Sequence, residues 1–330
     1  MSHEDLLKDL EQRRAKALAM GGPDKLAKRR AAGILNARER LDYLFDKGTF
    51  IESGLFGTSV YPEARDKSPG DGKIAGYGKI AGREAACVAN DFTVMGASSA
   101  ATNMKKIGQM KRAAVSRGMP LVFLGESSGA RLPDNMGARG MGSLLAQDPQ
   151  QYLRLRESPW VSAALGLCYG SSTWYCVLAD FNVMRKGAIV AVSSSLLASL
   201  AMNDPVDAEE LGGWRVHSEV SGIADQVVDT DEQAIDAIKQ FLSYLPSHHS
   251  EPPPEHPVPA GSGADMDSIM DILPASNNQV YDVRRIIRVI VDKDSLFEMK
   301  SRYGRCFTMR FISWLRTTTA RSNWTPGRRS

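Results

Sequence analysis

Apolar residues along this chain keep two different rhythms, and the switches between them outline its elements. Leu121–Leu124 and Val161–Leu167 are short apolar runs, too brief for helices, and read as buried strands. Lys73–Ile80 alternates apolar with polar, Ala85–Asn90 is β-compatible, and Gly82–Glu84 makes the turn between them. Ala101–Arg117 instead spaces Met104, Ile107, Met110, Ala114 and Val115 as a helix does, and Gly118-Met119-Pro120 ends it. Glu232–Leu245 repeats that pattern through Ala234, Ile235, Ile238, Phe241, Leu242 and Leu245. Short strands are expected at Val183–Met184, at Ala188–Val192 and up to Val228, with small helices at Ser195–Ala201 and Asp207–Leu211. Strand, turn, helix and strand in succession make the unit of a layered α/β domain.

Residues 3–46 carry two or three helices, with Leu6, Leu7, Leu10, Ala15 and Leu18 forming a partial stripe on the first. Asn36, with Glu39 three residues on, predicts a capped helix start before Leu41, Leu44 and Phe45. Pro246–Gly263 contains six prolines and reads as an extended linker, and helical sequence resumes at Val283–Asp292. The segment Pro133–Pro159 predicts a turn at Asp134–Gly137 and a loose helix at Leu144–Arg156; it sits where a lid or an ordinary surface connection would lie.

The chemistry concentrates at Pro120–Phe181. Each of its two apolar strands runs into small residues: Gly125–Gly129 as a tight turn after the first, Gly170-Ser171-Ser172 after the second, with helix from Thr173 onward. Such turns expose backbone N–H groups, and two of them aimed at one point would suit a thioester carbonyl that gains negative charge. The candidate donors are Gly129, Ala130, Gly170 and Ser171. Read from the residues alone, the same glycines serve better as tight strand-to-helix connections than as donors.

Other chemistries fit less well. Ser127-Ser128 lacks the G-x-S-x-G frame of a hydrolase, and neither Gly76–Gly78 nor Gly137–Gly142 makes a dinucleotide-binding fingerprint. Cys87, Cys168, Cys176 and Cys306 form no C-x-x-C pair, so no zinc ribbon or other metal site is expected and free thiols are. Net charge is +3, but six arginines lie in 303–330 and leave the body mildly acidic, which speaks against nucleic acid as a partner. No apolar run reaches the length of a membrane helix, and the N-terminus has no apolar core of a signal peptide, so a cytoplasmic location is expected. His217 reads as a structural histidine, and Arg131 as a loop support pairing with Glu126 or Asp134.

ESSGARLPD at Glu126–Asp134 and GLCYGSSTWYCVLADF at Gly166–Phe181 resemble the carboxyltransferase (beta) subunits of biotin-dependent acyl-CoA carboxylases, the propionyl-CoA type above all. Gly21–Gly54, Gly70–Ile80, Asn90–Ser98 and Glu209–Asp225 extend the resemblance, in family order, over roughly residues 20 to 300. It implies a crotonase-like α/β fold and a reaction that moves a carboxyl group from carboxybiotin, borne on a separate carrier, to an acyl-CoA. The resemblance places the backbone donors at the two glycine turns; where that family usually has Gly-Gly-Ala, this chain has Gly170-Ser171-Ser172. Implied partners are the acyl-CoA, a biotin carboxylase or biotin carrier subunit, and further copies of the chain in a homo-oligomer. On this basis the chain divides into a helical arm (1–48), a crotonase-like carboxyltransferase N-terminal domain (49–246), a Pro-rich linker (247–264), the start of an inter-domain segment (265–302) and a basic tail outside the family pattern (303–330). The expected second crotonase-like domain does not follow, so the resemblance predicts acyl-CoA binding and no carboxyl transfer by this polypeptide alone. The alternatives are a biotin-dependent acyl-CoA or malonate decarboxylase subunit, and a non-catalytic remnant that binds full-length carboxylase subunits.

Overall fold

The structure, a computed structural model, describes residues 2–135, 156–263, 265–276, 278–304 and 309–311. Three helices open the chain: α1 (His3–Leu18), α2 (Pro23–Ala31) and α3 (Ala37–Leu44). The Asn36–Glu39 capping box forms as the spacing predicts, with Asn36 Oδ1 accepting from the N–H groups of Arg38 and Glu39 and Glu39 Oε2 accepting from Asn36 N at 2.8 Å. The apolar stripe of α1 finds no cover among the described residues: Leu6, Leu7 and Leu10 are exposed and only Ala17 is buried.

The sheet is mixed. β1 (Ile51–Ser53), β2 (Lys73–Ile80) and β3 (Arg83–Asn90) pair antiparallel; β3 then pairs parallel with β4 (Leu121–Ser127), and β4 with β5 (Trp160–Tyr169). β5 forks: its first half pairs with β6 (Phe181–Arg185) and its last residues with β7 (Ile189–Ala191), while β8 (Gln226–Val228) lies beyond β6. β4 is buried along its whole length and β5 nearly so, which is why both read as continuous apolar runs.

Between β3 and β4 runs α4 (Ala101–Arg117), with the bounds its period predicts, closed by Gly118 at φ 63°. Ile107, Met110 and Ala114 bury against Val88, Leu121, Phe123 and Trp160, each large side chain contributing about 1.5–3 kcal/mol. β5 leads into α5 (Ser171–Leu178); α6 (Ser195–Met202) and α7 (Ala208–Gly212) follow β7, and α8 (Asp231–Ser243) covers β6 by stacking Phe241 on Phe181 at 4.7 Å. The described residues form two compact units, those up to 253 with 300–304, and those of 254–299 with 309–311. The second contains α9 (Val283–Ile290) and the antiparallel pair β9 (Phe297–Met299) and β10 (Met309–Phe311).

Candidate functional site

The first corner forms later than the glycines suggest. β4 stays extended through Gly125 and Glu126 to Ser127, because both residues are held in the sheet, with a bulge against β5 between Gly125 and Ser127. The turn proper is Ser128-Gly129-Ala130, and Gly129 adopts φ 103°, which a side chain would resist. Gly129 N–H is already used, donating to Ser127 Oγ at 3.1 Å. Ala130 is exposed, and its N–H meets no acceptor among the described residues.

The second corner comes earlier than expected. Gly170, at φ 62° and ψ −118°, is itself the N-cap, so α5 begins at Ser171 and not at Thr173. Gly170 N–H donates to Ala191 O at 3.3 Å and Thr173 N–H to Gly170 O at 3.0 Å, which leaves the N–H groups of Ser171 and Ser172 without acceptors among the described residues. Ser171 takes no left-handed conformation, so a serine stands there without backbone strain.

The two corners touch: a Cβ built on Gly170 would lie 3.7 Å from Gly129 Cα. They do so because β4 and β5 are parallel neighbours, Ser127 facing Cys168, and both strands turn at the same end of the sheet. Of the four candidate donors, Ala130 and Ser171 therefore keep open N–H groups, while Gly129 and Gly170 supply the backbone geometry.

Ser99 joins the corners, and sequence reasoning passed over it. Its N–H donates to Gly129 O (2.8 Å), its carbonyl accepts from Arg131 N (2.9 Å), and its hydroxyl lies 2.7 Å from Ser171 Oγ. Asn90 Nδ2 reaches Ser172 Oγ at 3.4 Å, so both hydroxyls of the Ser171-Ser172 pair are bonded to neighbouring chain. The only local signal was a run of small residues ahead of α4.

Charge around the corners is buried and paired. Arg131 holds Asp71 (2.6 Å) and Asp134 (3.2 Å), whereas Glu126, the other partner considered for it, is bonded to Arg29 and Arg40. Burial alone would raise the Glu126 pKa, but the Arg40 and Arg29 charges and hydrogen bonds hold it below the ordinary value. Burial raises that of Asp71 despite Arg131. Lys73 is buried with Nζ on Ala97 O at 3.0 Å and Asn90 Oδ1 at 3.4 Å, and desolvation lowers its pKa to about 7. Lys79, by contrast, is exposed on β2. His217 bonds Val190 O through Nε2 (2.7 Å) and Ser221 Oγ through Nδ1 (2.9 Å), as a structural histidine does. Cys87, Cys168 and Cys176 are free and buried, and no group of potential metal ligands occurs among the described residues. The turn and helix expected within Asp134–Arg156 fall mostly at 136–155, outside the described residues, as does Cys306.

Parallel strands that turn together on two touching glycine corners, packed between helical layers, define a crotonase-like α/β domain. The chain belongs to the carboxyl transferase domain family, whose model matches residues 28–308. It is 31% identical over 316 residues to the propionyl-CoA carboxylase carboxyltransferase subunit of Haloferax mediterranei, a match that covers 94% of this chain and 61% of that protein. It is 30% identical over 300 residues to the methylmalonyl-CoA decarboxylase subunit alpha of Veillonella parvula, covering 89% of this chain and 58% of that one. The crystal structure of the transcarboxylase 12S hexamer with methylmalonyl-coenzyme A and methylmalonic acid bound superposes with TM-score 0.85 at 28% identity, over 95% of this chain and 60% of that chain. The chain thus spans about three fifths of the length of the relatives it matches.

Proposed function

We propose that this chain is the acyl-CoA-binding half of a biotin-dependent carboxyltransferase, taking propionyl-CoA- or acetyl-CoA-like thioesters. The acyl carbonyl oxygen sits between the N–H groups of Ala130 and Ser171. Contact between the two glycine corners, each with an open amide beside it, is the observation that carries the reading. When the α-carbon loses its proton, charge moves onto that oxygen, and donors fixed in advance stabilise the enolate more than the neutral carbonyl. The enolate α-carbon is then the nucleophile toward the carboxyl group. Carboxybiotin, a co-substrate on a separate carrier, would supply that group as its N–carboxyl bond breaks, and the ureido nitrogen so freed would take the α-proton. The corner donors fit one carbonyl oxygen; they offer no second pair for the ureido carbonyl of biotin, so nothing in this site is assigned to holding it.

Among the described residues, the acid–base side chains near the corners are engaged: Glu126 by Arg29 and Arg40, Asp134 by Arg131, and Lys73 by Ala97 O and Asn90 Oδ1. The chain's part in the reaction is therefore positional and electrostatic. We place it in a homo-oligomer working with a biotin carboxylase or biotin carrier subunit. Similarity to a methylmalonyl-CoA decarboxylase subunit supports a second reading, in which the same site stabilises the same enolate after loss of the carboxyl group. Calorimetry tests the shared core of both: propionyl-CoA binds, and more tightly than free CoA. Absence of binding sinks them together. Labelled bicarbonate entering propionyl-CoA, in the presence of the carrier and carboxylase subunits, favours the first; label leaving methylmalonyl-CoA onto biotin without net uptake favours the second.

A further inference from the structure

We propose that Ser99 is a positioning residue that clamps the two glycine corners to each other through its side chain. This rests on the site reading above and assigns a role within it. Ser99 is buried, and its three polar groups divide between the corners: N–H and carbonyl to Gly129 O and Arg131 N on one side, hydroxyl to Ser171 Oγ on the other. Among the described residues, Ser99 Oγ···Ser171 Oγ at 2.7 Å is the side-chain hydrogen bond that runs from the loop before α4 to the residue carrying the open amide of the second corner. The hydroxyl bond thus sets where the Ser171 amide points relative to that of Ala130. Backbone amides cannot be tuned by rotamers, so the relative placement of two loops decides whether both donors reach one oxygen.

The backbone of Ser99 is fixed independently of its hydroxyl. Met95, Gly96 and Ala97 all take left-handed φ values (48°, 60° and 49°), and Ala97 O receives both Lys73 Nζ (3.0 Å) and Ser127 Oγ (3.1 Å). Ser128 N–H adds a bond to Gly96 O at 2.9 Å. Removing the hydroxyl therefore releases the clamp and leaves the loop in place.

The test compares propionyl-CoA with S-propyl-CoA, a thioether that lacks the carbonyl. The readouts are the affinity ratio of the two and the infrared stretch of a carbon-13-labelled thioester carbonyl. Wild type prefers the thioester and shifts its carbonyl stretch to lower frequency. Ser99→Ala is expected to bind the thioether unchanged, to lose about tenfold of the preference through one misaligned donor, and to lose part of the shift. Ser171→Ala breaks the same bond from the other side and gives the same result, so a misfolded Ser99→Ala does not block the test. The double variant is no worse than either single one, because one bond is being removed. A folded Ser99→Ala or Ser171→Ala chain with wild-type preference and shift overturns the clamp alone. A wild type that fails to prefer the thioester overturns the site reading, and the clamp falls with it.

Discussion

At the scale of single residues, Gly170 and Lys73 carry the most consequence. Gly170 has φ 62° and ψ −118°, yet a Cβ there meets nothing closer than 3.7 Å, so substitution is opposed by backbone conformation and not by crowding. Gly170→Ala is expected to cost about 1–3 kcal/mol in urea unfolding and to abolish preference for the thioester over the thioether, since relief of the strain moves the Ser171 amide. Lys73 gives a pH signature. Its pKa falls from the ordinary 10.5 to about 7 in the fold, so between those values the unfolded chain holds a proton that the folded chain does not. Stability therefore rises with pH across that window, on the order of 1 kcal/mol per pH unit, and the contribution is flat below it. The thiols of Cys87 and Cys168, pushed up by burial and, for Cys168, first by its bond to Cys176, work in the opposite direction at higher pH. Urea midpoints between pH 7 and about 8, below the thiol pKa of the unfolded chain, are expected to rise in wild type and to rise less in Lys73→Met.

Among the elements, the N-terminal helices supply buried charge to the sheet. α2 sends Arg29 and α3 sends Arg40 to the carboxylate of Glu126, at the end of the strand that carries the first corner. Arg40 also bonds Asp231 at 2.9 Å, and Arg185 of β6 completes the chain of buried charges at 3.1 Å. Arg40→Met leaves two buried carboxylates short of a partner and is expected to cost about 3 kcal/mol or more by chemical denaturation. Because the Glu126 pKa is held down in the fold, its pairing contributes above the unfolded value and is lost as pH falls through the acid range. Glu126→Gln is expected to be less stable at neutral pH and to lose stability less steeply on acidification, as followed by circular dichroism.

On the scale of the whole molecule, the described residues divide into two compact units. The division at Pro253–Pro254 falls inside the stretch read as linker, and exposed Glu251 and Glu255 flank it. A glutamate-specific protease is expected to cut there before it cuts any glutamate in β2–β5 or the helices packed on them, with fragment masses as the check. Ligand linkage supplies a second measurement. Propionyl-CoA at 100 times its dissociation constant should stabilise the chain by about 2.7 kcal/mol, and unfolding midpoints that ignore it would count against the proposed function.

Local rules were enough for much of this protein. Periodicity and a glycine stop predict α4 to the residue, Asn36 and Glu39 mark the start of α3, and the small residues after two apolar strands point to the corners. The corners are displaced by a residue or two because a bulge prolongs β4 and because Gly170 caps α5 itself, neither of which has a local signal. The pairing of Glu126 with arginines 97 and 86 positions away, and the hydroxyl bond of Ser99 to a residue 72 positions on, arise only when the sheet brings distant segments together. The sequence by itself determined the type and order of most elements, the neighbourhood of the turns and the family, since these depend on short-range sterics and on which side chains avoid water. Tertiary structure alone decided which amides stay open and what holds them in place, because a backbone N–H is spent or spared by whatever acceptor the fold puts beside it.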